Sequence, residues 1–216
     1  MRGAGNVLGG EQSGHISGVG FDLYVRLVGE AVEAFRAMAD GQPVDGREEE
    51  KKEIRVDLPV DAHIPPEYVA SERLRLEAYR KFAEVQTEDD VLKVLEELRD
   101  RYGEPPVEVT RLASVSRLRM LCRDLHVGEV VQAGTKISFS PIELPDSGQV
   151  RLKRLFPAAN YRATTKVVLI PAPKEGSGMR AVPLRDEDMV QWCANALTSI
   201  AGLPERDMRG QPEVVR

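Results

Sequence analysis

The repeat of apolar residues changes period part-way along the chain, and this limits the possible folds more than any other feature. Between residues 71 and 125 apolar side chains return every three or four positions, as in Leu74, Tyr79, Phe82 and then Val91, Leu95, Leu98. That spacing places them on one face of a helix. Between Val127 and Phe139 the period shortens to two, as in Val131 and Ala133 and then Ile137 and Phe139, the spacing of a half-buried strand. A chain with both periods in separate blocks builds helices against a sheet, so the expected class is α+β.

The elements follow from this pattern and its punctuation. Glu53 to Pro59 alternates polar and apolar residues and reads as a short strand stopped by proline. Helices are predicted over about 71–85, from Thr87 to Gly103, and over about 106–125. Thr87 followed by Glu88, Asp89 and Asp90 is a helix start, with a capping hydroxyl and acids near the positive end of the helix dipole. Val127–Gln132 and Lys136–Phe139 flank Ala133-Gly134-Thr135 as a hairpin. A short helix over 148–156, a buried strand over 166–170 closed by Pro171, and a helix over 186–201 complete the list. The sheet is expected to be small and mostly antiparallel.

Upstream the pattern differs. Residues 1–20 hold Gly3, Gly5, Gly9, Gly10, Gly14, Gly18 and Gly20, a density that favours a loop. Phe21, Tyr24, Leu27, Val28, Ala31, Val32 and Phe35 then form a helical stripe over about 21–39. Residues 41–53 are polar with no apolar anchor and read as a linker. The expected division is an N-terminal piece at 1–40, the linker, a compact domain at 54–205 and a tail at 206–216.

Composition narrows the chemistry. The net charge is −5 and the isoelectric point near 5.4, which weighs against a main DNA-gripping surface, because phosphate contacts need a basic face. Cys122 and Cys193 both fall in helical patterns and read as buried, reduced thiols. No apolar run is long enough for a membrane span, and the glycine-rich start lacks a signal-peptide core, so a cytoplasmic location without membrane contact is expected.

Catalytic signatures are not found. Gly14 is followed by His15, where a phosphate-binding loop needs Lys and then Ser or Thr. The acids at Asp89-Asp90 and Asp186-Glu187-Asp188 stand at predicted helix starts, where capping accounts for them. His15, His63 and His126 are scattered, and although Cys122 and His126 stand four apart, two ligands make no zinc site. Ser114, Ser116 and Ser138 have no visible base. The expectation is no catalytic residue, no metal and no cofactor for this chain itself.

The segment Arg2-Gly3-Ala4-Gly5-Asn6-Val7-Leu8-Gly9-Gly10-Glu11-Gln12-Ser13-Gly14 resembles the translocation motif shared by the RecG helicase and the transcription-repair coupling factors. The match is carried by Arg2, Gly3, Gly5, Leu8, Gly9, Gln12, Ser13 and Gly14, and Val19-Gly20-Phe21-Asp22-Leu23-Tyr24 turns it toward the coupling factors. The likeness continues to about residue 140.

The resemblance implies a C-terminal piece of an ATP- and Mg-dependent double-stranded-DNA translocase. Such a motor displaces stalled RNA polymerase and recruits UvrA in nucleotide-excision repair. Arg2 and Gln12 would couple ATP hydrolysis to movement. Glu97, Asp100 and Arg101, in Glu-x-x-Asp-Arg-Tyr-Gly, would clamp the domain onto the protein's own UvrB-like N-terminal module and mask the UvrA surface. A reading from another class is a free-standing nucleic-acid-binding module using the basic cluster Arg151, Lys153, Arg154, Arg162 and Lys166.

Overall fold

The computed structural model describes residues 54–176 and 181–210. The glycine-rich loop with Arg2 and Gln12, the 21–39 helix and the 41–53 linker lie outside the described residues. Those described form an α+β domain, as the change of period predicts.

Three helices follow the first strand: α1 (Glu72–Glu84), α2 (Glu88–Tyr102) and α3 (Val107–Asp124). α2 starts where the sequence places it. Asp90 N donates to Thr87 Oγ1 at 3.2 Å, and Asp90 Oδ2 accepts from Thr87 N at 3.0 Å, a reciprocal capping box. α2 buries Val91, Val94 and Leu98, with Leu95 only partly covered. α3 is buried on nearly every side, taking even Ser114, Ser116, Arg117 and Arg119 below the surface. The two serines satisfy their hydroxyls on carbonyls one turn back: Ser114 Oγ donates to Thr110 O and Ser116 Oγ to Leu112 O.

The sheet runs in the order β1 (Arg55–Asp57), β2 (Glu129–Ala133), β3 (Lys136–Ser140), β5 (Val167–Pro171), β4 (Asn160–Arg162). Only β1 and β2 are parallel, joined across the three helices, and every other pairing in this sheet is antiparallel. Gly134, at φ 60°, makes the tight turn of the β2–β3 hairpin. Val130, Ile137, Phe139, Val168 and Ile170 point from the sheet into one core with the C-terminal half of α3, with α4 (Asp146–Leu155) and with α5 (Asp186–Ala201). A second core lies among α1, α2 and the N-terminal half of α3, built on Tyr79, Phe82, Val91, Leu98, Val109 and Leu112.

Three features depart from the sequence reading. β4 is too short and too polar to show a period, and its pairing with β5 defines it. β6 (Lys174–Glu175) and β7 (Val182–Pro183) add a two-stranded ribbon that the sequence does not announce. At the far end, residues expected in a tail pack on the domain. Met208 is 2% exposed, because its side chain enters the sheet-side core.

Candidate functional site

The expected clamp residues lie on the last turns of α2, beside α1. Helix geometry sets Glu97 and Asp100 about 60° apart around the axis, and that angle separates their roles. Glu97 turns toward α1. Both of its carboxylate oxygens accept from Lys81 Nζ at 2.6 Å, and Oε1 accepts from Arg101 Nη1 at 3.0 Å. Glu77 approaches the same ammonium at 3.6 Å. The Lys81 hydrogen bonds, with help from Arg101, hold the Glu97 carboxyl below its ordinary value despite partial desolvation. A shallow cleft opens here between the helices, lined by Leu74, Lys81, Val94, Glu97, Arg101 and Tyr102.

Asp100 points outward. It is exposed, and among the described residues no hydrogen bond or ion pair engages it. Arg101 is half committed: it bonds Glu97 and lies 5.3 Å from the ring centre of Tyr102. Tyr102 meets Tyr68 edge-on, and Tyr68 Oη donates to Gly103 O at 2.9 Å, fixing the end of the helix. Arg99 pairs with Glu104 through two bonds of 2.9 and 3.1 Å. The three residues singled out in the sequence thus sit together on one turn. They are not equivalent, since Glu97 is an interhelix tie within the domain and Asp100 alone presents an uncommitted charge. The sequence holds no signal for Lys81 as the partner of Glu97, because that pair depends on how α1 and α2 lie against each other.

The basic cluster is largely engaged. Arg151 Nη1 donates to Ile200 O at 3.0 Å, capping the end of α5, and Lys153 Nζ donates to Ala159 O at 2.6 Å. Lys166 pairs with Glu143. Arg154 and Arg162 remain exposed. Cys122 and His126 do not share a face: the thiol is buried, and His126 is exposed at φ 56°, beyond the end of α3. His63 Nδ1 lies 2.8 Å from Asp61 Oδ1. Among the described residues no group of three or more His, Cys, Asp and Glu could hold a metal ion, and no helix is long and apolar enough to cross a membrane.

A buried side chain that the sequence reading passed over is Arg117. Its side chain is 5% exposed; Nε donates to Glu88 Oε2 at 2.8 Å, and Nη1 to Met208 O at 3.2 Å. An arginine in a helical pattern reads as solvated, and it is Glu88 and the C-terminal segment, both packed against α3, that make it internal.

Residues 58–149 match the TRCF domain family. The transcription-repair-coupling factor of Mycobacterium tuberculosis (strain CDC 1551 / Oshkosh) is 54% identical over 211 residues, which is 95% of this chain and 17% of that protein. That of Staphylococcus aureus (strain NCTC 8325 / PS 47) is 40% identical over 128 residues, 59% of this chain and 10% of that protein. A crystal structure of the C-terminal domain of transcription-repair coupling factor superposes with TM-score 0.54 at 17% identity, covering 69% of this chain and 92% of that one. Fold and match together define a TRCF domain on an α+β scaffold. The chain belongs to the transcription-repair-coupling factor family. It spans 17% of the length of the mycobacterial relatives.

Proposed function

We propose that the chain is the regulatory and coupling end of an ATP- and Mg-dependent double-stranded-DNA translocase that displaces stalled RNA polymerase and recruits UvrA. The motif at Arg2–Gly14, with Arg2 and Gln12 as its coupling side chains, attaches this end to the motor. The TRCF domain clamps the protein's own UvrB-like module and covers the UvrA-binding surface until the motor engages. The observation that carries the clamp is the exposed, uncommitted carboxylate of Asp100 on the last turn of α2. An acid there opposes the helix dipole, so helix stability does not account for it. A cation on the clamped module would. Glu97 supports the surface from behind by tying α2 to Lys81 of α1.

The test is Asp100→Ala in the full-length protein. Losing one side of an interfacial charge pair costs about 2–5 kcal/mol if it is desolvated, so UvrA binding should tighten by tenfold or more. The same substitution in the 216-residue chain should leave its melting temperature unchanged. UvrA affinity equal to wild type would overturn the clamp. The chain by itself, whose sequence carries no Gly-x-x-x-x-Gly-Lys followed by Ser or Thr, should show no ATP turnover. DNA-stimulated hydrolysis at motor-like rates of about 1–100 per second would contradict that. Because Arg151, Lys153 and Lys166 are held within the domain, the geometry does not favour a free-standing nucleic-acid-binding module.

A further inference from the structure

After α5 the chain turns at Gly202 and runs as Arg206–Gly210 over α3 and α5 with no helix or strand of its own. Two side chains grip its main chain. Gln191 Nε2 donates to Arg206 O at 2.8 Å, and Gln191 Oε1 accepts from Met208 N at 2.8 Å, so one amide satisfies both a carbonyl and an N–H of the segment. Arg117 Nη1 donates to Met208 O at 3.2 Å. The Met208 side chain is the one deeply buried anchor. On either side Arg206 pairs with Asp124 at 2.9 Å, and Arg209 with Asp188 at 2.7 Å. Gly210 has φ 69°, and a Cβ there would lie 2.3 Å from Arg117 Nη2.

These contacts have the marks of peptide recognition. Gln191 also donates to Asn195 Oδ1 at 2.8 Å, and Arg117 is held by Glu88, so both reading groups stay aimed when the segment leaves. Main-chain atoms supply the bonds; side chains add one flexible apolar anchor and two half-exposed ion pairs of the kind worth little each. We propose that α3 and α5 form a binding groove for a bent basic–x–Met–basic–Gly peptide, which Arg206–Gly210 fills in cis as a releasable latch.

The test uses a fluorescent peptide of residues 203–212 and the 216-residue chain carrying Met208→Asp, which expels the latch. The peptide should bind this variant at least about tenfold more tightly than wild type, whose groove is occupied, and Gln191→Ala in the same background should abolish the difference. A folded variant that ignores the peptide, or binding equal to wild type, would sink the proposal. If Met208→Asp fails to fold, hydrogen exchange on the wild-type chain decides. The amide of Met208, held by Gln191, should exchange about a hundredfold or more faster than that of Leu197 of α5, through local release. Rates equal to that of Leu197 would mean that the segment opens only with the whole domain, and the latch would be ruled out.

Discussion

Arg117 shows how a single residue in this domain joins three pieces of chain. Its guanidinium, 5% exposed, spends Nε and Nη2 on Glu88 at the start of α2 and Nη1 on the C-terminal segment. Glu88 is half exposed and looks expendable. Removing it strands a buried cation with one carbonyl for company, so Glu88→Ala should cost about 2 kcal/mol in urea unfolding, well above a surface substitution. A loss under about 0.5 kcal/mol would show that solvent reaches Arg117. The cysteines behave in the opposite way. Burial pushes the Cys122 thiol up to about 12 and raises Cys193 well above the ordinary thiol range. Neither should react with a disulfide reagent at pH 8 in the native chain, and both should react in guanidinium. The helical stripes made the cysteines legible as buried. They hid Arg117, because polarity alone reads as exposure.

Among the elements, α2 concentrates the local signals. Its capping hydroxyl is Thr87, and Thr87→Ala should lower stability by about 1 kcal/mol, measured as a shift in urea midpoint at constant slope. The helix also carries acid sensitivity. Bonds from Thr87 hold Asp90 below its ordinary 3.8, and those from Lys81 hold Glu97 below its ordinary 4.5. A depressed carboxylate contributes stability in full above its unfolded value, and that stability is lost as pH falls through the folded one. The chain should therefore weaken as pH drops below about 4.5. Glu97→Gln should lose less on that descent than wild type; parallel curves would show that the Lys81 tie adds nothing. Every helix between residues 71 and 201 was legible from apolar spacing or punctuation, although in α4 the spacing misleads about the buried face: of Val150, Leu152 and Leu155 only Leu152 is buried. β4 and the β6–β7 ribbon were not, because two or three residues hold no period and exist through pairing. The same limit hid the packing of Met208: a lone methionine in a polar run has no pattern around it.

For the molecule as a whole, α3 decides cooperativity. Val109, Leu112 and Ala113 serve the helical core, while Val115, Leu118, Leu121 and Cys122 serve the sheet-side core. One rigid helix spanning both should make them unfold together. Trp192 fluorescence, which reports the sheet side, and far-UV dichroism should give superimposable urea curves. Leu112→Ala, cut into the helical core, should shift both by the same amount, about 2–5 kcal/mol. Separate transitions would mean two independent units. β1 has a further consequence for this architecture. It is the strand at which the chain enters the described domain, three residues long and on the sheet edge, with Ile54 O accepting from Arg119 Nε and Arg55 N donating to Gly128 O. Tension arriving along the preceding chain meets β1 before any other element of the described residues. In a single-molecule pulling experiment the first extension should therefore be the loss of those three residues, which draws Val56 out of the core.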